Sequence, residues 1–136
     1  MVFDTKVAIA LLSDLALWQK LNVTAFLSAG ISNSAPGLLG EPYLDADDLE
    51  YLPLLIQPVL VFSASADELK KTYHRALERE LKLAIYTRPM FSTGHDADNR
   101  ATVRAVRSAD LELVGIGMRG LEGAVDKALK GLKLHG

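Results

Sequence analysis

Seven consecutive residues near the amino terminus, Lys6-Val-Ala-Ile-Ala-Leu-Leu12, form a near-continuous apolar run. A strand wetted on one face alternates polar and apolar side chains. A run without that alternation has the length and character of a strand covered on both faces. Two covered faces require helices on either side of a sheet, so this one segment already points to a layered α/β fold.

The remainder of the chain keeps the alternation. A helical stretch follows Ser13-Asp14 and runs to Gly30, with Leu17, Leu21 and Ala25 at i, i+4 and i+8 as its apolar stripe and Trp18, Phe26 and Ala29 beside it. Asn22 is an alternative N-cap, for a shorter helix starting at Val23. Residues 31–42 are rich in Ser, Asn, Pro and Gly and read as a long loop. Pro42-Tyr-Leu44 and Glu50-Tyr-Leu52 flank Asp45-Ala-Asp-Asp48, the pattern of a small hairpin or an extended excursion. The acidic cluster lacks the Gly and the distal Glu of a calcium-binding loop and reads as an Asp-rich turn. Pro58–Phe62 is a second strand, with Pro where no ladder donor is needed. Ser65-Ala-Asp-Glu68 has the spacing of a capping box, followed by a stripe of Leu69, Tyr73, Ala76, Leu77 and Leu81. Leu83–Thr87 is a third strand, and Thr93-Gly-His-Asp96 opens a helix that runs to about Arg107. Leu111–Gly117 is a fourth strand. Leu121, Val125 and Leu129 mark a last helix stopped at Gly131, and Leu132–His135 is a short terminal strand.

These elements predict one domain over residues 1–136. It is a three-layer α/β fold whose central sheet, mixed but mostly parallel, has four to five strands with helices on both faces. Ligands in such folds sit beyond the carboxyl ends of the strands. That rule selects Ser13–Asn22, Ser63–Ser65, Arg88–Asn99 and Gly117–Gly120.

Composition removes several classes of chemistry. The 136 residues include no cysteine, which excludes disulfides, a cysteine nucleophile and thiolate metal sites. No apolar run reaches the ~18 residues of a membrane span, and the first residues lack a signal-peptide pattern, so a cytoplasmic protein without a membrane partner is expected. The net charge of −2 hides an imbalance: residues 1–68 hold nine acids and two bases, residues 69–136 thirteen bases and eight acids. Such asymmetry marks either an anion-binding face or simply solvated helix faces.

The densest polar cluster is Arg88–Arg100. There His95 is a candidate acid–base group, oriented by Asp96 or Asp14, and Thr93, Gly94 and Asn99 with the free N–H groups of the helix start are candidate anion-binding elements. The plain alternative is that Thr93 and Asp96 cap the helix and His95 fills a turn. Asp14, Lys20 and Asn22 form a second cluster after the first strand, with Lys20 as a candidate oxyanion or substrate cation. Three histidines far apart in sequence give no metal triad, so no metal and no cofactor is expected. Arg119, Lys127, Lys130, Lys133 and His135 form a basic cluster without interleaved aromatics, a weak nucleic-acid pattern. Gly115-Ile-Gly-Met-Arg-Gly120 spells Gly-x-Gly-x-x-Gly but lacks the following strand and acidic residue of a dinucleotide unit.

Lys6–Leu15 with the helix after it, and Leu113-Val-Gly-Ile-Gly117 with Val125-Asp-Lys127 and Gly131-Leu-Lys-Leu134, resemble the two ends of type 2 peptidyl-tRNA hydrolases. The sequence also resembles a related bacterial family of uncharacterised small proteins with that fold. That likeness runs through Leu21–Leu27, Gly40–Tyr43, Gln57-Pro58, Thr93–Asp96 with Asn99, and Lys130–His135. The resemblance implies the hydrolase fold and makes hydrolysis the first chemistry to consider. It departs where the hydrolases carry a glycine- and lysine-rich turn and then a glutamine. Here Lys20 stands one residue out of place and Phe26 falls near the glutamine position. The expectations are therefore a hydrolase-like cleft drawing Asp14, Lys20, His95 and Asp96 together with Asn22, Thr93, Gly94 and Asn99, or a non-enzymatic small-anion or nucleotide-binding module that is a homodimer. A transfer RNA is the third candidate partner.

Overall fold

A computed structural model describes residues 3–136. The elements follow in the order β1 (Thr5–Leu12), α1 (Leu17–Ser32), β2 (Tyr43–Leu44), β3 (Glu50–Tyr51), β4 (Val59–Ala64), α2 (Ala66–Glu78), β5 (Leu83–Thr87), a 3-10 turn (Arg88–Ser92), α3 (Asp96–Arg104), β6 (Leu113–Leu121), α4 (Glu122–Ala128) and β7 (Lys133–Leu134). The fully apolar β1 occupies the centre of the sheet, whose strand order is β5-β6-β1-β4-β7. Val7 through Leu11 are buried there, as a strand covered on both faces must be.

The sheet is mixed with one parallel pair, β1 with β4; the pairs β1–β6, β5–β6 and β4–β7 are antiparallel. The expected mostly parallel sheet is corrected by two strands, the edge strand β7 and, in the centre, β6. β1, β4 and β5 do point the same way, as alternating strands and helices dictate. β6, however, inserts between β1 and β5 and runs against both, which replaces a parallel neighbour on each side with an antiparallel one. Gly117–Gly120 therefore lie inside β6 and not beyond a strand end.

Alternation fixes the two faces of the sheet. Ile9 and Leu11 stand opposite Gly117 and Gly115, and Tyr86 pairs with Gly115 from the other side, so these residues share the face under α1. Ala8, Ala10, Met118 and Ile116 point to the opposite face, against α2 and α4. Gly115 and Gly117 let α1 lie close to the sheet. A Cβ at 115 would stand 2.5 Å from Val23 Cγ1, and one at 117 would stand 2.9 Å from Ile31 Cδ1. Gly115 and Gly117 thus serve helix–sheet contact and Gly120 makes room for Leu81, so close packing accounts for the pattern.

α1 seals that face with Val23, Leu27 and Ile31. The expected stripe of Leu17, Leu21 and Ala25 is exposed instead. The helix is apolar on more than one side, so periodicity alone selects the wrong side, and the glycine floor of β6 selects the right one. On the other face Ser65 caps α2 as the sequence predicts: its hydroxyl accepts from Glu68 N–H and the Glu68 carboxylate accepts from Ser65 N–H. Leu69, Tyr73 and Ala76 are buried with Thr72, while Leu77 stays exposed. β2 and β3 form the expected hairpin, and β7 is the expected terminal strand.

Candidate functional site

One groove of about 1120 Å³ opens between the outer flank of α1, the edge strand β5 and the segment 90–104. The chain builds it in three steps. Trp18, Asn22 and Phe26 recur at four-residue spacing along α1 and so project from one flank. Tyr86 rises from β5 on the α1 face of the sheet. After β5 the 3-10 turn swings Met90 and Phe91 across, and the Thr87 N–H donates to Met90 Sδ at 3.3 Å, which ties the turn to the strand end.

The result is a chain of aromatic rings. Trp18 and Phe91 meet edge to face at 6.1 Å, Phe91 and Tyr86 are 5.0 Å apart, and Tyr86 and Phe26 are 5.7 Å apart. These are favourable ring separations. Trp18 and Phe26 nevertheless remain more than half exposed, so the rings line a wall that faces open space. Burial pushes the Tyr86 hydroxyl above the ordinary phenol range, with the neighbouring Asn22 amide opposing the shift more weakly.

The rim is polar. Thr93, Gly94, His95, Asp96, Asn99, Arg100 and Arg104 all border the groove. The Thr93 hydroxyl donates to the Met90 carbonyl at 3.0 Å and pairs with the Asn99 amide, which locks the start of α3 onto the turn. Asp96 and Arg100 form an ion pair one helical turn apart. His95 is the N-cap of α3 with an extended backbone and makes no cap hydrogen bond. Among the described residues no side chain hydrogen-bonds its imidazole.

Six of the eight candidate residues from the sequence therefore border one groove: Asn22, Thr93, Gly94, His95, Asp96 and Asn99. Asp14 and Lys20 do not border it. Asp14 is exposed in the turn between β1 and α1. Lys20 lies on the opposite flank of α1, where its Nζ meets His135 Nε2 at 3.1 Å, and the backbone N–H of His135 donates to the Val61 carbonyl of β4. β4 and β5 lie on opposite sides of the sheet centre, so the expected convergence of Lys20 with His95 does not occur. The geometric reason is the helix itself: positions 20 and 22 are about 200° apart around its axis. Among the described residues no group of three His, Asp or Glu side chains is placed to hold a metal.

The rim is legible in the sequence and the wall is not: Trp18 and Phe26 read as neighbours of a core stripe, and Phe91 lies inside a polar stretch. The available signal was that α1 is apolar over more of its circumference than one buried stripe needs.

Comparison with known proteins agrees over nearly the whole chain. A solved structure of a protein of unknown function from Agrobacterium tumefaciens is 44% identical, covers 99% of this chain and 100% of its own, and superposes with a TM-score of 0.95. No curated protein matches. The profile of the family described as proteins of unknown function, DUF2000, matches residues 5–136, and the chain belongs to that family.

Proposed function

We propose that this protein binds a small molecule with a flat ring system and a polar or anionic group, held in the groove between α1 and α3. The carrying observation is the aromatic wall of Trp18, Phe91, Tyr86 and Phe26 on an open groove of about 1120 Å³. Largely apolar clefts with a few convergent polar groups are the usual form of small-molecule sites. The wall takes the ring by stacking. Asn22, Thr93 and Asn99 supply amide and hydroxyl partners, and Arg104, unpaired among the described residues, supplies a cation for an anionic group. Nucleoside monophosphates have this chemistry.

A hydrolase with His95 as base is the second reading, carried by the imidazole on the rim and by the resemblance to type 2 peptidyl-tRNA hydrolases. It is less well supported, because a base of this kind needs an orienting partner and Asp96 is engaged by Arg100. The hydrolase-type fold rests on the resemblance at the chain's two ends, and a cytoplasmic setting on the lack of an apolar run long enough to span a membrane. Transfer RNA is the partner the groove favours least. Its rim carries two arginines, one already paired, where a phosphate backbone calls for a longer basic track.

Trp18 is the single tryptophan and stands in the groove, so its fluorescence reports occupancy directly. Titration with adenosine monophosphate should quench or shift it, adenosine should act more weakly, and inorganic phosphate should compete. The reading fails if none of the three changes the emission or protects the groove residues in hydrogen exchange.

A further inference from the structure

Residues 38–57 form an arm. Its base is fixed: Leu38 and Gln57 are buried, the Ile56 N–H donates to the Leu38 carbonyl at 3.0 Å, and the Gln57 amide donates to the Thr5 carbonyl at 3.1 Å. The Gly40 N–H donates to the Leu54 carbonyl at 2.9 Å, and Tyr43 and Leu44 pair with Tyr51 and Glu50. At the tip the Asp45 carboxylate accepts from Asp47 N–H, Leu49 N–H and the Tyr51 hydroxyl, which lowers the pKa of Asp45 and raises that of Tyr51.

The arm is thus internally bonded from base to tip, yet β2 and β3 pack chiefly on each other. Of its nine large apolar side chains between Leu39 and Ile56 all but Leu55 are at least 46% exposed, and Leu52 reaches 84%. That is on the order of 800 Å², above the largest apolar patch of an ordinary monomer and close to what each partner gives to a standard interface. A two-stranded hairpin is marginal in water by itself, so an arm this regular implies a surface that covers it.

We propose that this arm docks on a second copy of the same chain, against the end formed by the start of α1 and by β7. That end is the complement of the arm in both respects. Leu17, Leu21 and Leu134 lie bare on it, at 70%, 64% and 62% exposure. Lys20 meets His135 there, and Lys133 precedes Leu134 in β7 with Lys130 three residues before it, whereas the arm carries Glu41, Asp45, Asp47, Asp48 and Glu50 and no base. Rim charges of opposite sign fix register and speed encounter.

The two surfaces stand at opposite ends of the strands. The arm leaves where α1 ends and β4 begins, while the basic end lies where α1 begins and β7 pairs with Phe62 and Ser63. One chain leaves both exposed. A two-fold axis across the strand direction places each arm on the other copy's basic end and closes the assembly as a dimer. Head-to-tail stacking would use one surface of each and propagate.

Carbodiimide cross-linking of a mixture of isotopically light and heavy chains tests this. The expected products are mixed light–heavy links from Asp45, Asp47, Asp48 or Glu50 to Lys20, Lys130 or Lys133, from a protein that sediments at twice the chain mass. The double variant Leu52→Asp, Leu54→Asp should keep its circular dichroism and weaken association by about tenfold or more. Four outcomes overturn the proposal: a monomer at the highest attainable concentration, open-ended oligomers, links from the arm only within one chain or to other lysines, and undiminished association of the double variant. The groove can still bind its ligand in any of these cases, so the two proposals fail separately.

Discussion

Phe26 and Leu27 are neighbours on α1 and chemically alike, yet their surroundings differ. Leu27 is sealed against Gly115 and Gly117; Phe26 is half-exposed on a groove. The inner flank of the helix is a packing surface in which every ångström is occupied, and the outer flank is a wall with space before it. The contrast separates residues that hold the fold from residues that line the groove, and it can be broken by substitution.

The largest effect belongs at the floor. In Gly115→Val the new Cβ meets Val23 Cγ1 at 2.5 Å and Leu27 Cδ1 at 3.0 Å, and the stiff side chain of Val23 has little room to give. α1 must lift, at a cost of about 3 kcal/mol, read as a fall of roughly 10 °C in Tm. Next comes the neighbouring pair. Leu27→Ala leaves a void against β6 and should cost about 3 kcal/mol in urea unfolding. Phe26→Ala should cost under about 1 kcal/mol, because half its surface is already wet. If the two cost the same, the distinction between flanks is wrong. Smaller in stability but larger in function is Phe91→Ala, which removes the ring between Trp18 and Tyr86. It should weaken ligand binding by about tenfold while changing Tm by a few degrees at most, with Trp18 emission as the readout.

The smallest effect is a pH dependence. The folded chain raises the Tyr86 pKa above its reference value of 10.0. The unfolded chain then loses that proton first. The contribution of Tyr86 to stability is complete below about pH 10 and is lost as pH rises through the folded pKa. Urea midpoints at about pH 9 and pH 11 should converge in Tyr86→Phe relative to the parent.

Much of the fold was legible because it is local. The unbroken run of β1, the Ser65–Glu68 capping box and the Asp-rich turn between Leu44 and Glu50 each declare themselves within a few residues. The start and phase of α1 were not, since a helix with apolar residues on several sides offers several stripes, and only the glycines of a strand nearly ninety positions later choose among them. Strand direction was hidden for the same reason. Leu113–Gly117 reads as a buried strand whichever way it runs. At the site, the polar rim from Thr93 to Asn99 was legible as a cluster in sequence. The pairing of Lys20 with His135 was not, because it depends on β7 returning beside β4.

The position of β6 has a consequence for the order in which the molecule is made. Thr5 at one end of the central strand is bonded to a neighbour whose partner residue is Leu121, and β5 touches the rest of the sheet only through that same strand. A nascent chain can pair β1 with β4 as soon as both have emerged. β5 and the turn that carries Phe91 then wait, with no strand beside them, until β6 arrives. Long-range closure of this kind slows folding and leaves an apolar edge bare in the interval. The groove is therefore among the last features to take shape, and a chaperone that holds growing chains would meet the first half of this sheet well before the groove exists.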